Sequence, residues 1–146
     1  MTVVAADIIA MGFSAPMFGI TDAELSSRIT AAISEHADLV ADRVGAAAFS
    51  LAVNQKALDR AVKLLTAAEM ARRRILQLAG NTVIEAAESA ERENLGSNIE
   101  AWEKQAEYWI GKVADGALAD SGGFASGCSV SYSGSRLTYP SSTPTS

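Results

Sequence analysis

Three segments of the chain carry the residue pattern that begins an α-helix, and each opens a run of apolar residues at helical spacing. Each has a threonine or serine followed three residues later by glutamate, as in Thr21-Asp22-Ala23-Glu24, Thr82-Val83-Ile84-Glu85 and Ser97-Asn98-Ile99-Glu100. In such a capping box the hydroxyl accepts a hydrogen bond from a free backbone N–H, and the glutamate reaches back to the cap. Asn54 precedes a fourth run and is also a favoured N-cap residue. The pattern predicts helices that begin near these four caps.

Glycines mark the ends of these runs, because glycine adopts the backbone conformations that stop a helix at little steric cost. A short first helix is predicted over residues 4–11, ahead of the four capped helices. The glycines that follow the five runs are Gly12, Gly45, Gly80, Gly96 and Gly116. The prediction is therefore an all-α fold, a small bundle of about four to five helices.

The composition changes after Asp120. Residues 121–146 are rich in serine, glycine, threonine and proline, and such a segment cannot bury enough apolar surface to order itself. We therefore divide the chain into a helical domain over residues 1–119 and an extended tail over 120–146 that is ordered by contacts with a partner. Apolar residues alternate with polar ones around Ser133-Gly134, which is compatible with a short β-hairpin or an added strand. These residues are Val130, Tyr132, Leu137 and Tyr139.

The charge and the apolar pattern disfavour several classes of partner. The net charge is -5, whereas binding to free nucleic acid calls for a basic surface that neutralises phosphates.

The one cysteine, Cys128, cannot form a disulfide within the chain. The first residues lack a basic region, so no signal peptide is expected. No stretch approaches the roughly 18 apolar residues that span a bilayer, so no membrane contact is expected.

The sequence predicts no catalytic, cofactor-binding or metal-binding residue, and therefore no enzyme. It contains no phosphate-binding loop, nucleophile elbow or dinucleotide fingerprint. His36 is the sole histidine and lies on or beside an apolar stripe, which favours a packed or half-exposed side chain over a catalyst. Glu35, Asp38 and Asp42 have the chemistry to hold a hard cation, but such spacing usually forms a solvated helix face. A metal-dependent enzyme built on these carboxylates ranks below the other hypotheses.

Two clusters are candidates for protein interfaces. Arg72, Arg73 and Arg74 form the only dense basic cluster. They either contact DNA or an acidic partner, or they form a solvated face that pairs with acids such as Glu69, which we favour. Three adjacent residues point in divergent directions on a helix, so at least one should face a packing neighbour. Trp102 and Trp109 lie seven apart on one helix face, where core packing is the default and an interface the alternative. The apolar tail residues complete the set of interface candidates: Val130, Tyr132, Leu137 and Tyr139.

The order of these features has a counterpart in a known family. A short helix precedes the segment Ile20-Thr21-Asp22-Ala23-Glu24-Leu25. The helix that follows this segment ends in acidic residues and Val44-Gly45. A long alanine-rich helix with a basic end then covers residues 61–78, and further helices come after it. This layout resembles the head–tail connector (adaptor) proteins of tailed bacteriophages. The resemblance covers residues 3–115 and does not include the tail.

The resemblance implies a structural virion protein without catalytic residues or cofactors. Proteins of this family form a homo-oligomeric ring, typically a dodecamer, that docks beneath the portal protein of the capsid. The ring extends the DNA channel and presents a platform to the next neck or tail protein, and DNA passes without specific binding. The expected location is the capsid–tail junction of the virion, after assembly in the host cytoplasm. The alternative hypothesis is a stand-alone helical protein-interaction or regulatory module, which a monomer or dimer in solution would favour.

Overall fold

The structure, a computed structural model, describes residues 1–80 and 86–116. Within these ranges the chain forms six α-helices and one 3₁₀ turn. They are α1 (Ala5–Ile9), α2 (Ala15–Phe18), α3 (Asp22–Val44), α4 (Ala46–Ser50), the 3₁₀ turn (Ala52–Asn54), α5 (Gln55–Ala79) and α6 (Ala86–Ala114). No strand occurs in either described range. The prediction of a small all-α bundle is confirmed.

Helix α3 begins where the first capping box predicts. Thr21 is the N-cap with an extended backbone, and its Oγ1 accepts a hydrogen bond of 3.2 Å from the backbone N–H of Glu24. Asp22 and Glu24 add negative charge to the first turn, where it interacts favourably with the helix dipole. The helix stops at Gly45, whose φ of 91° lies in a region that residues with a side chain rarely adopt.

Replacing Thr21 with alanine should lower the free energy of unfolding by about 1 kcal/mol, because it removes the side-chain cap of α3. Thr30 offers a matched control, since it is exposed in the middle of the same helix. Thr30→Ala should be neutral or slightly stabilising, because alanine has the higher helix propensity. Urea denaturation of both variants checks the prediction, and equal losses of stability would count against the capping role of Thr21.

Helix α5 begins after Asn54, as predicted, but the side chain of Asn54 does not cap it. Asn54 is buried, and its Nδ2 donates a hydrogen bond of 2.8 Å to the carbonyl oxygen of Ala48. The neighbouring Gln55 donates from Nε2 to the carbonyl oxygen of Phe49 at 2.7 Å. The two amide side chains therefore link the start of α5 to α4. Asn54 stabilises this link between the two helices and does not cap the backbone N–H groups of α5.

The predicted third and fourth helices form one helix. Gly96 and Ser97 both lie inside α6, so the predicted stop at Gly96 and start at Ser97 are wrong. A glycine in a helix interior costs only about 1 kcal/mol relative to alanine. Helix α6 buries Leu95 on one side of this point and Ile110 on the other, and this burial on both sides outweighs the local cost. The predicted start at Thr82 lies outside the described residues.

Helix α5 is the central helix of the bundle, and α6 packs antiparallel against it. Two contacts show the direction. Arg60, early in α5, contacts Trp109, late in α6, whereas Arg74, further along α5, contacts Glu91, early in α6. Helix α3 lies against both. The core is built from fully buried aliphatic side chains that come from four helices: Ile8, Leu25, Ile29, Val40, Leu58, Val62, Met70 and Ile110. Three of the six helices in the described ranges are short, and one of them, α1, contributes Ile8 to this core.

Candidate functional site

The three adjacent arginines leave α5 in different directions, and each pairs with a different glutamate. Arg73 pairs with Glu69, one turn earlier in α5. Arg72 pairs with Glu103 of α6, and Arg74 pairs with Glu91 of the same helix. The structure therefore agrees with the predicted pairing of these arginines with carboxylates that include Glu69, but only Arg72 and Arg73 lie on a solvated face. Their predicted role at an interface with other chains stays a prediction.

Arg74 is the most buried of the three, with only 17% of its side chain exposed. Its Nε and Nη2 donate hydrogen bonds of 2.8 and 3.0 Å to the two carboxylate oxygens of Glu91. Its Nη1 donates to the carbonyl oxygen of Met17, in α2, at 2.5 Å. The hydrogen bonds from Arg74 hold the pKa of Glu91 below its usual value. Arg74 thus joins three helices, which fulfils the expectation that one arginine of the cluster faces packing neighbours.

Alanine substitutions of the three arginines should differ in their effect on stability. Arg74→Ala should lower the free energy of unfolding by about 1–3 kcal/mol, because it leaves the Glu91 carboxylate and the Met17 carbonyl without their partner. Arg72 and Arg73 are 50% and 44% exposed, so their substitution should cost only ~0–1 kcal/mol. Urea denaturation of the three variants measures the difference. Similar losses for all three would contradict the bridging role of Arg74.

His36 is packed between α3 and α5, as the sequence predicts. Its Nε2 lies 2.8 Å from Oε2 of Glu69. Burial opposes ionisation of Glu69, but the hydrogen bonds from His36 and Arg73 outweigh it and hold the pKa of Glu69 below its usual value. Because the ionised carboxylate only accepts hydrogen bonds, Nε2 of His36 must donate. The other ring nitrogen, Nδ1, is buried and has no hydrogen-bond partner among the described residues.

Both tryptophans are half-buried at the margin of the core. The ring of Trp102 packs against Phe13, with the ring centroids 6.4 Å apart. The ring of Trp109 lies beneath the Arg60 guanidinium, whose carbon is 4.9 Å from the ring centroid. This stacking is a cation–π contact. Each tryptophan thus contributes to the core, as the default interpretation has it, while part of its ring stays accessible at the surface.

Trp109 also forms one wall of a surface groove of about 380 Å³ between the turn that follows α1 and helices α5 and α6. We call it the basic groove, and its lining residues are Met11, Arg60, Lys63, Leu64, Gln105 and Trp109. Two cations and three apolar side chains thus border the same depression. The sequence does not indicate Arg60 and Lys63 as site residues, since their proximity to Trp109 depends on the pairing of α5 with α6.

The remaining predicted site residues lie outside the described ranges. They are Val130, Tyr132, Leu137 and Tyr139, together with the tail hairpin to which they were assigned and the domain boundary at 119–120. Within residues 1–80 and 86–116, no group of three or more histidine, cysteine, aspartate or glutamate side chains is placed to hold a metal ion. Glu35, Asp38 and Asp42 of α3 therefore do not form such a group. None of the helices in the described ranges combines the length and apolar character needed to cross a membrane.

The basic groove combines a tryptophan and an arginine, two residue types that are enriched at the energetic centres of protein interfaces. Tryptophan and arginine side chains contribute much of the binding energy at protein interfaces, and Trp109 and Arg60 stand together at the groove. Such chemistry is shared by many unrelated folds, so it does not by itself name a family. Compared with protein-family models, curated proteins and solved structures, the chain matches none of them.

Proposed function

We propose that this protein is a structural virion protein, a head-to-tail adaptor that forms a ring on the portal. The ring extends the DNA channel and joins the capsid to the neck or tail. The proposal rests first on the resemblance of residues 3–115 to tailed-bacteriophage connector proteins. Its partners are then other copies of the chain, the portal protein, the next neck or tail protein, and DNA that passes through. Its place is the capsid–tail junction, after assembly in the host cytoplasm.

The observation that best supports this proposal is the neutralisation of the basic cluster. Arg72, Arg73 and Arg74 each pair with a glutamate of the same chain, so they do not present three unpaired cations to phosphates. A conduit for DNA needs a wall that is acidic or neutral, because tight phosphate contacts would slow the passage of DNA. The net charge of -5 is in keeping with such a wall.

The purified protein should bind duplex DNA only weakly at physiological salt, about 0.15 M. We expect a dissociation constant above about 10⁻⁴ M, the weak end of non-specific binding. Fluorescence anisotropy with a labelled duplex measures it, and the triple variant Arg72→Ala, Arg73→Ala, Arg74→Ala serves as the comparison. Tight binding that disappears in the triple variant would overturn the proposal of a DNA conduit and would indicate a DNA-binding regulator instead.

A further inference from the structure

The basic groove holds two cations that lack a carboxylate partner among the described residues. Neither Arg60 nor Lys63 forms an ion pair there, although Asp59 is adjacent in the chain. Both oxygens of Asp59 are engaged by Thr2, which donates from its backbone nitrogen at 3.2 Å and from Oγ1 at 2.5 Å. The Arg60 guanidinium is stacked on Trp109, so its N–H edge remains available for a bidentate bond with a carboxylate. The groove therefore suits an acidic ligand with an apolar side chain.

An acidic surface with an exposed apolar side chain lies on α3 of the same chain. Leu39 is 53% exposed, and its neighbours on the helix surface, four residues before and three after, are Glu35 and Asp42. Asp38 directly precedes it. The three acids form no hydrogen bond or ion pair within the described part of the chain, and all are exposed. We call Glu35, Asp38, Leu39 and Asp42 the acidic face.

We infer that the acidic face of one copy docks into the basic groove of a second copy. Leu39 then packs against the apolar wall that Met11, Leu64 and Trp109 provide, and the carboxylates beside it pair with Arg60 and Lys63. Two observations support a second copy as the occupant. The charges of the two surfaces are complementary. In addition, the acidic face carries an exposed leucine, and the groove that holds the two cations also has apolar lining residues for it to contact.

The geometry of this contact has a consequence for assembly. The acidic face belongs to α3 alone, whereas the groove is lined by Met11, in the turn after α1, and by residues of α5 and α6, so the two surfaces share no residue. A contact between two different surfaces is heterologous, and it repeats from copy to copy until it closes into a ring or continues as a filament. The inference thus rests on the proposed adaptor ring and names the contact between its subunits.

Charge reversal on each surface tests this contact. Arg60→Glu with Lys63→Glu makes the groove acidic, so it repels the acidic face of every identical copy. Glu35→Lys with Asp42→Lys makes the face basic, so it repels the basic groove. Each double variant alone should associate at least roughly tenfold more weakly than the natural chain, since like charges across an interface are strongly unfavourable. Sedimentation velocity at low ionic strength, where charges are least screened, measures the association.

Mixing the two double variants should restore assembly. The reversed groove of one variant fits the reversed face of the other, and the two unreversed surfaces keep their natural complementarity, so the variants should alternate in the mixed oligomer. Matched controls reverse charges on α6 outside both surfaces: Arg92→Glu with Lys104→Glu, and Glu93→Lys with Glu100→Lys. The controls should associate as the natural chain does. Circular dichroism verifies that every variant is folded.

Three results would overturn the inference. One is a natural chain that stays monomeric at millimolar concentration and low salt. Another is normal assembly of either reversed variant, which would leave an adaptor ring in place but assign its contact to other surfaces. The third is a mixture of folded variants that fails to assemble. Whether the protein sits on a portal is measured separately, so a failure of this contact and a failure of the adaptor function are distinguishable.

Discussion

Replacing Leu58 with alanine should lower the free energy of unfolding by about 2–5 kcal/mol. Leu58 is fully buried in α5, with 0% of its surface exposed. Its truncation removes apolar contacts and leaves a cavity that a packed helix bundle fills only in part. A loss of this size is a large fraction of the stability of a small domain, and urea denaturation followed by circular dichroism measures it.

Leu76→Ala is the matched control for this substitution, because Leu76 lies in the same helix and is 72% exposed. The exchange is chemically identical, so helix propensity changes equally in both variants. Leu76→Ala should therefore alter the free energy of unfolding by less than about 0.5 kcal/mol. If the two variants lose equal stability, the orientation of α5 in the bundle is wrong.

Replacing Gly96 with proline should lower the free energy of unfolding by about 3 kcal/mol. Gly96 lies in the interior of α6, where a proline removes one backbone hydrogen bond and its ring clashes with the preceding turn. A chain that broke at Gly96 and began a new helix at Ser97 would tolerate proline at this position. Urea denaturation of the variant therefore distinguishes one continuous helix from two.

Gly96→Ala is the complementary substitution. A Cβ atom at position 96 meets nothing within 4 Å, and alanine has a higher helix propensity than glycine by about 1 kcal/mol. This variant should therefore be more stable than the natural chain by up to that amount. A loss of stability in Gly96→Ala, or no loss in Gly96→Pro, would contradict a continuous α6.

Sequence reasoning located the helix boundaries that depend on local interactions. Thr21 caps α3 through a bond to a residue three positions away, and that spacing is visible in the sequence. Gly45 is similar, because the need for a positive φ is local. The same reasoning failed at Gly96, where packing against α5 on both sides of the glycine outweighs its low helix propensity.

Most of the charged contacts between helices cannot be predicted from the sequence. The sequence predicts the pairing of Glu69 with Arg73, because the two residues are one helical turn apart. The bond from Arg74 to the Met17 carbonyl joins residues 57 positions apart, and the contact of His36 with Glu69 joins residues 33 positions apart. Such pairs depend on how the helices pack, and helix periodicity alone leaves that packing open.

The central claim, an adaptor ring on a portal, is tested most directly by the mass of the complex that forms when the protein is mixed with its cognate portal ring. Native mass spectrometry gives that mass. We predict that the portal gains the mass of one complete ring of 15.2 kDa copies, with partly filled rings rare. A portal whose mass does not change, together with a protein that remains a monomer or dimer, would contradict the claim and favour a stand-alone helical module.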